Sequence, residues 1–123
     1  LADNLSGCEK AIIFACTIGI EIDRLIKKYS YISPSKTLIL QGIGAERVES
    51  LCNKFNGEIS QKYPNGTKPR FSAGFGDLPL QFQKQIFSLL ECEKKIGLTL
   101  NSSLIMSPSK SVTAIIGIKK YEF

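Results

Sequence analysis

Apolar residues change their spacing several times along the chain, and each change marks a separate element. Lys10 to Thr17 is dense in β-branched and aromatic residues and predicts a buried strand, with a turn at Thr17-Ile18-Gly19. Residues 2–8 before it read as a short helix or its end, closed by Gly7. From Ile20 to Tyr31 the apolar positions Ile22, Leu25, Ile26 and Tyr29 take helical spacing. Ser33-Pro34-Ser35 interrupts this, and Pro34 suits the first turn of a new helix. That helix is expected from Pro34 to about Gln61, with an apolar stripe of Leu38, Leu40, Ile43, Val48, Leu51, Cys52, Phe55 and Ile59. Gly42 and Gly44 lie inside it. Each costs roughly 1 kcal/mol against alanine, so a close neighbour is implied.

Tyr63-Pro64-Asn65-Gly66 is a turn signal, followed by a short extended segment or loop from Lys68 to Phe75. Leu78-Pro79 opens a helix reaching roughly Leu90 or Glu93, its period marked by Gln83, Ile86, Phe87 and Leu90. Gly97 caps a following turn. Ser102 to Met106 reads as a strand, Pro108-Ser109-Lys110 as a turn, and Ser111 to Ile118 as the return strand of a hairpin. Segregated helices and antiparallel strands argue for α+β: long helices packed on a small, twisted, mainly antiparallel sheet. With 123 residues and no linker or internal repeat, one domain over 1–123 is expected.

Composition narrows the function. No apolar run approaches the roughly 20 residues needed to cross a bilayer. Leu5-Ser6-Gly7-Cys8 resembles a lipoprotein cleavage box, but the apolar segment follows it instead of preceding it. A cytoplasmic location is expected, and the missing initiator Met suggests a chain that begins inside a longer gene product or was trimmed. The net charge of +5 comes from scattered lysines, which read as solvated faces and not as a nucleic-acid patch. They could still attract an acidic protein. Four cysteines, no CxxC pair and no histidine make a zinc site improbable and remove the commonest general base. Reduced, buried thiols are expected.

Three features stand above this background. In Arg70-Phe71-Ser72-Ala73-Gly74-Phe75-Gly76-Asp77, an arginine precedes a small glycine-containing loop. Such a pair can grip a carboxylate through the guanidinium and the loop N–H groups, and Phe75 could stack on a purine. Glu49 lies on the glycine-containing helix at a position that could face inward, where a carboxylate needs a partner. Met106-Ser107-Pro108-Ser109-Lys110-Ser111-Val112 is a tight polar turn between apolar strands. The plainer readings are a surface salt bridge for Arg70, a wet helix face beside Arg47 for Glu49, and a simple turn for the third. The residues alone reach a soluble α+β domain able to bind a small anionic or zwitterionic ligand.

At these residues the chain resembles the activation domain of cobalamin-dependent methionine synthase. That family carries Arg-x-x-x-Gly-Tyr after a long helix, matched by Arg70 and Gly74-Phe75. Its Leu-Leu-x-x-x-Lys-x-x-Gly pattern is matched by Leu89-Leu90, Lys94 and Gly97, leading into Leu100 and Ser103. Its Met-x-Pro-x-x-Ser-Val hairpin is matched by Met106, Pro108, Ser111 and Val112. Order and spacing agree from residue 38 to about 118. Phe14-Ala15-Cys16-Thr17-Ile18-Gly19 also resembles a Thr-x-Gly segment of short stand-alone bacterial relatives. The chain departs from the family in carrying Phe75 for the tyrosine and in lacking a histidine near the corrinoid. A ligand-contacting aspartate has no safe match, Asp3 and Asp23 being poor candidates.

The resemblance implies binding of S-adenosylmethionine and support of reductive methylation, the reactivation of cob(II)alamin. The corrinoid would be carried by a cobalamin-binding methionine synthase protein or domain, and the electron would come from flavodoxin or another donor. By the same resemblance Arg70 would hold the methionyl carboxylate. Glu49 would face the amino group or the nearby sulfonium. Backbone around Ala73 and Gly74 would meet the adenosine, with Phe75 beside it. The chain would be the reactivation module of a methyltransferase and not a complete enzyme. The alternative is a non-catalytic scaffold that docks a corrinoid protein without binding S-adenosylmethionine. A basic domain that binds nucleic acid would be a third reading, disfavoured by the scattered lysines.

Overall fold

The computed structural model describes residues 5–64, 66–76 and 78–119. Strand β1 spans Cys8–Thr17, helix α1 Glu21–Tyr29 and helix α2 Pro34–Lys62. A 3-10 turn at Leu80–Phe82 leads into α3 (Gln83–Leu90) and α4 (Cys92–Ile96). The short strands β2 (Thr99–Leu100) and β3 (Met106–Ser107) precede the last strand, β4 (Ser111–Lys119).

Helix α2 starts where the sequence places it. Ser33 is extended, and its hydroxyl accepts the Lys36 N–H at 3.4 Å, while Pro34 occupies the first turn. Such a cap satisfies a donor that the helix itself leaves orphaned. The 29 residues give a rod of about 44 Å, longer than the sheet it covers. Hence only part of the expected stripe is buried. Gly44, Val48 and Cys52 are buried, with Phe55 and Ile59 packed behind them, whereas Leu38, Ile43 and Leu51 stay exposed. Gly44 has its neighbour: a Cβ there would sit 2.9 Å from Lys110 Cγ. Nothing lies within 4 Å of a Cβ at Gly42.

Strand β4 carries the core. It pairs antiparallel with β1 in the register Ile12↔Ile116, Phe14↔Ala114 and Cys16↔Val112. On its other edge the chain after α2 makes isolated bridges, Thr67↔Ile118 and Phe71↔Ile115. Ala114, Ile116 and Ile118 face the α2 side with Phe14 and Cys52. Ile115 faces the opposite side with Ala73, Leu78 and Ile86. Both faces are covered, so β4 reads as a continuous apolar run and not as an alternating one.

The architecture is α+β, as expected, with one long helix and three short ones among the described residues. Three local expectations are corrected. Of the strand expected from Ser102 to Met106, only Met106 is in a strand, the first residue of β3, and residues 102–105 form a turn. Asn101 Oδ1 accepts the N–H groups of Ser103 (2.9 Å) and Ile105 (3.0 Å), and Leu104 is left-handed at φ 63°. A side chain that binds local backbone in this way makes a turn. The terminal hairpin is likewise absent as drawn: β3 pairs with β2, and β4 pairs with β1. At the N-terminal end, Leu5 to Gly7 form a turn and Cys8 already belongs to β1, while residues 2–4 of the expected helix fall outside the described residues.

Candidate functional site

Glu49, Asn53 and Asn56 are spaced by four and three residues, so they share one face of α2. The backbone of the segment after α2 is held to β4 by reciprocal hydrogen bonds between Phe71 and Ile115 of 3.1 and 2.8 Å. This fixes the neighbouring Arg70 opposite that helix face. Its Nη1 donates to Asn53 Oδ1 (3.0 Å) and Asn56 Oδ1 (2.8 Å), and its Nη2 donates to Glu49 Oε2 (2.8 Å). The arginine side chain is 21% exposed and the glutamate 59%. Glu49 therefore does not point into the core; it reaches along the helix surface to a half-sunken cation.

The two asparagines use both Nη1 protons and hold the guanidinium plane. Among the described residues nothing takes the Nε–H or the second Nη2 proton. Those two donors remain for an incoming anion. Beside them lies a hollow of about 240 Å³ lined by Glu49, Arg70, Phe71, Ser72, Phe75 and Val112. A cation and a carboxylate at the mouth of one hollow suit the two ends of a zwitterion.

The glycine loop is built differently from the expectation. Gly74 adopts φ 95°, where a side chain would be strained. Its N–H is committed to Leu78 O at 2.9 Å, and the Phe75 N–H to Ser72 O at 3.2 Å. The loop N–H groups of Gly74 and Phe75 thus close the turn and are not offered to a ligand. Ala73 is buried against Leu78, Ile86 and Ile115, in the core beneath the sheet. Phe75 is 67% exposed and forms the rim. Of the five expected binding residues, Glu49, Arg70 and Phe75 line one hollow, and Ala73 and Gly74 are not among its lining residues.

The Met106–Val112 turn is anchored to the same end of the molecule. Asp23 on α1 accepts the Ser109 N–H at 2.7 Å and the Ser109 hydroxyl. Ser111 donates to Pro108 O at 2.6 Å and lies 2.7 Å from the Thr17 hydroxyl. Asp23 therefore secures the turn, and Asp3 lies outside the described residues. Sequence reading missed Asn53 and Asn56. Their spacing from Glu49 was the available signal, since one arginine can meet every polar residue on a single helix face.

Two thiols sit directly behind this face. Cys16 Sγ on β1 and Cys52 Sγ on α2 are 2.9 Å apart. Burial, then the neighbouring Cys52, push the Cys16 thiol up to about 12. Among the described residues no group of three His, Cys, Asp or Glu side chains could hold a metal ion. No helix among them is long and apolar enough to cross a membrane.

No family model matches the chain. No curated protein matches it either. A solved structure does: the crystal structure of the MetH reactivation domain bound to AdoHcy superposes with a TM-score of 0.77. The match covers 91% of this chain at 21% identity, and this chain spans 41% of that one. At that identity the likeness shows the fold, which is that of the MetH reactivation domain.

Proposed function

We propose that the chain binds S-adenosylmethionine and supports reactivation of the corrinoid of cobalamin-dependent methionine synthase. The observation that carries this reading is the Arg70–Glu49 pair at the mouth of one hollow, on a fold shared with a domain solved with AdoHcy. Arg70 offers its two remaining N–H groups to the methionyl carboxylate. Glu49 accepts the ammonium or faces the sulfonium. The two asparagines keep the guanidinium from turning, so the ligand meets a preset donor array. Phe75 lies where an adenine face can pack, and lacks only the phenolic hydroxyl. The chain's contribution is positioning, a large term when two reactants must meet in line.

A partner protein or domain would carry the cobalamin, which would supply the methyl acceptor, and flavodoxin or another donor would supply the electron. A cytoplasmic setting and a single module over 1–123 complete the reading. The scaffold alternative has two observations in its favour. Arg70 already has three internal partners, and two loop N–H groups are spent on the turn. The test is to add the purified chain, S-adenosylmethionine and a reductant to an oxidised, inactive methionine synthase. Recovery of methylcobalamin absorbance is expected. No recovery, together with no heat of S-adenosylmethionine binding, would leave the scaffold.

A further inference from the structure

Among the groups that the proposed function does not use, the thiols of Cys16 and Cys52 are placed most deliberately. They come from elements 36 residues apart in sequence, yet their sulfurs are 2.9 Å apart across the β1–α2 contact. A disulfide bond is about 2.0 Å long, so joining them needs a shift of about 1 Å. Neither sulfur has another hydrogen-bond partner among the described residues. Cys52 belongs to the core with Phe14 and Ala114, and Cys16 is half-buried beside it. Cys8 and Cys92 are also free thiols but are not part of this pair.

The placement couples the pair to the site. Cys52 lies three residues after Glu49 and four before Asn56, on the turn of α2 that holds Arg70. Cys16 pairs across the sheet with Val112, which lines the hollow. A covalent link here would pin the ligand-facing turn of α2 to the sheet.

We propose that Cys16 and Cys52 are a redox-modification site, forming a reversible disulfide that fixes α2 to β1 behind the Arg70 cluster. The oxidant is a small-molecule disulfide. Cys16, the more exposed sulfur, loses its proton and attacks one sulfur of the oxidant, expelling one thiolate and forming a mixed disulfide. Cys52 loses its proton and attacks Cys16 Sγ, expelling the second thiolate. The protein pair gives up two electrons and two protons, and the oxidant becomes two thiols. Because Cys16 is held as the thiol near neutral pH, the exchange is slow and is read at equilibrium.

The inference stands whether or not S-adenosylmethionine is the ligand. The full chain is equilibrated in glutathione buffers of rising oxidised fraction, quenched in acid, alkylated under denaturing conditions and mapped by peptide mass. The expected result is a Cys16–Cys52 cross-linked peptide that a dithiol reductant removes. A loop of this length should also raise Tm by about 10 °C in the oxidised form. Cys52→Ser and Cys16→Ser should each abolish both effects. Separate alkylation or glutathionylation of the two thiols in the most oxidising buffer would overturn the proposal. So would a disulfide to Cys8 or Cys92. The map of the parent chain decides the matter even if a serine variant fails to fold.

Discussion

Replacing Arg70 with alanine separates a binding role from a structural one. The lost partners are Asn53, Asn56 and Glu49. Asn53 and Glu49 are exposed, and Asn56 is half-buried. Water can therefore replace much of what the guanidinium gave them, and an exposed ion-pair partner is worth little. Folding stability should fall by about 1–2 kcal/mol, or roughly 4–8 °C in Tm for a chain of this size. Binding should suffer more. The ligand carboxylate would lose its cationic partner and be left beside the Glu49 carboxylate, which typically costs about 2–4 kcal/mol, or roughly 30- to 900-fold in Kd. Isothermal titration with S-adenosylmethionine, beside a thermal melt of the same preparation, measures both. Arg70→Lys should recover little affinity, because an ammonium cannot hold two asparagines and a carboxylate in one plane. A folded Arg70→Ala chain that binds within about twofold of the parent would refute the site.

Three further substitutions test the packing. Gly42→Ala meets nothing within 4 Å and removes a helix-interior glycine, so it should stabilise by up to about 1 kcal/mol; Gly44→Ala must displace the Lys110 stem and should gain less or lose, as a paired thermal melt will show. Thr113→Val removes the buried hydroxyl that donates to Gln83 Oε1 at 2.7 Å, and should cost about 1–3 kcal/mol by urea unfolding at unchanged slope. A loss under about 0.3 kcal/mol in the Thr113 variant would mean that the Gln83 amide finds water instead.

Local chemistry was legible wherever it depended on neighbours in sequence. The Ser33-Pro34 start of α2 and the β-branched run of β1 each follow from constraints within a few residues. The strand expected from Ser102 fails over residues 102–105 because its apolar residues suggest a strand, while Asn101 immediately before it turns the backbone. For the Glu49 carboxylate the sequence leaves two readings open, an inward position and a wet helix face. A side chain on a long helix can reach sideways to a cation, and periodicity does not distinguish the two.

What the sequence determined by itself was the longer elements, the α+β class and the residues able to carry charge near a glycine loop. Strand partnership and the thiol pair belonged to the tertiary structure. β4 could have folded back on the segment before it. It joins β1 instead, because only there are both of its apolar faces covered, by α2 on one side and by α3 with the glycine loop on the other. That pairing brings Cys16 onto Cys52, and the bridge of Phe71 to Ile115 aligns Arg70 with Glu49, Asn53 and Asn56. Contacts between residues so distant in sequence arise from burying apolar area in three dimensions, which local patterning cannot encode.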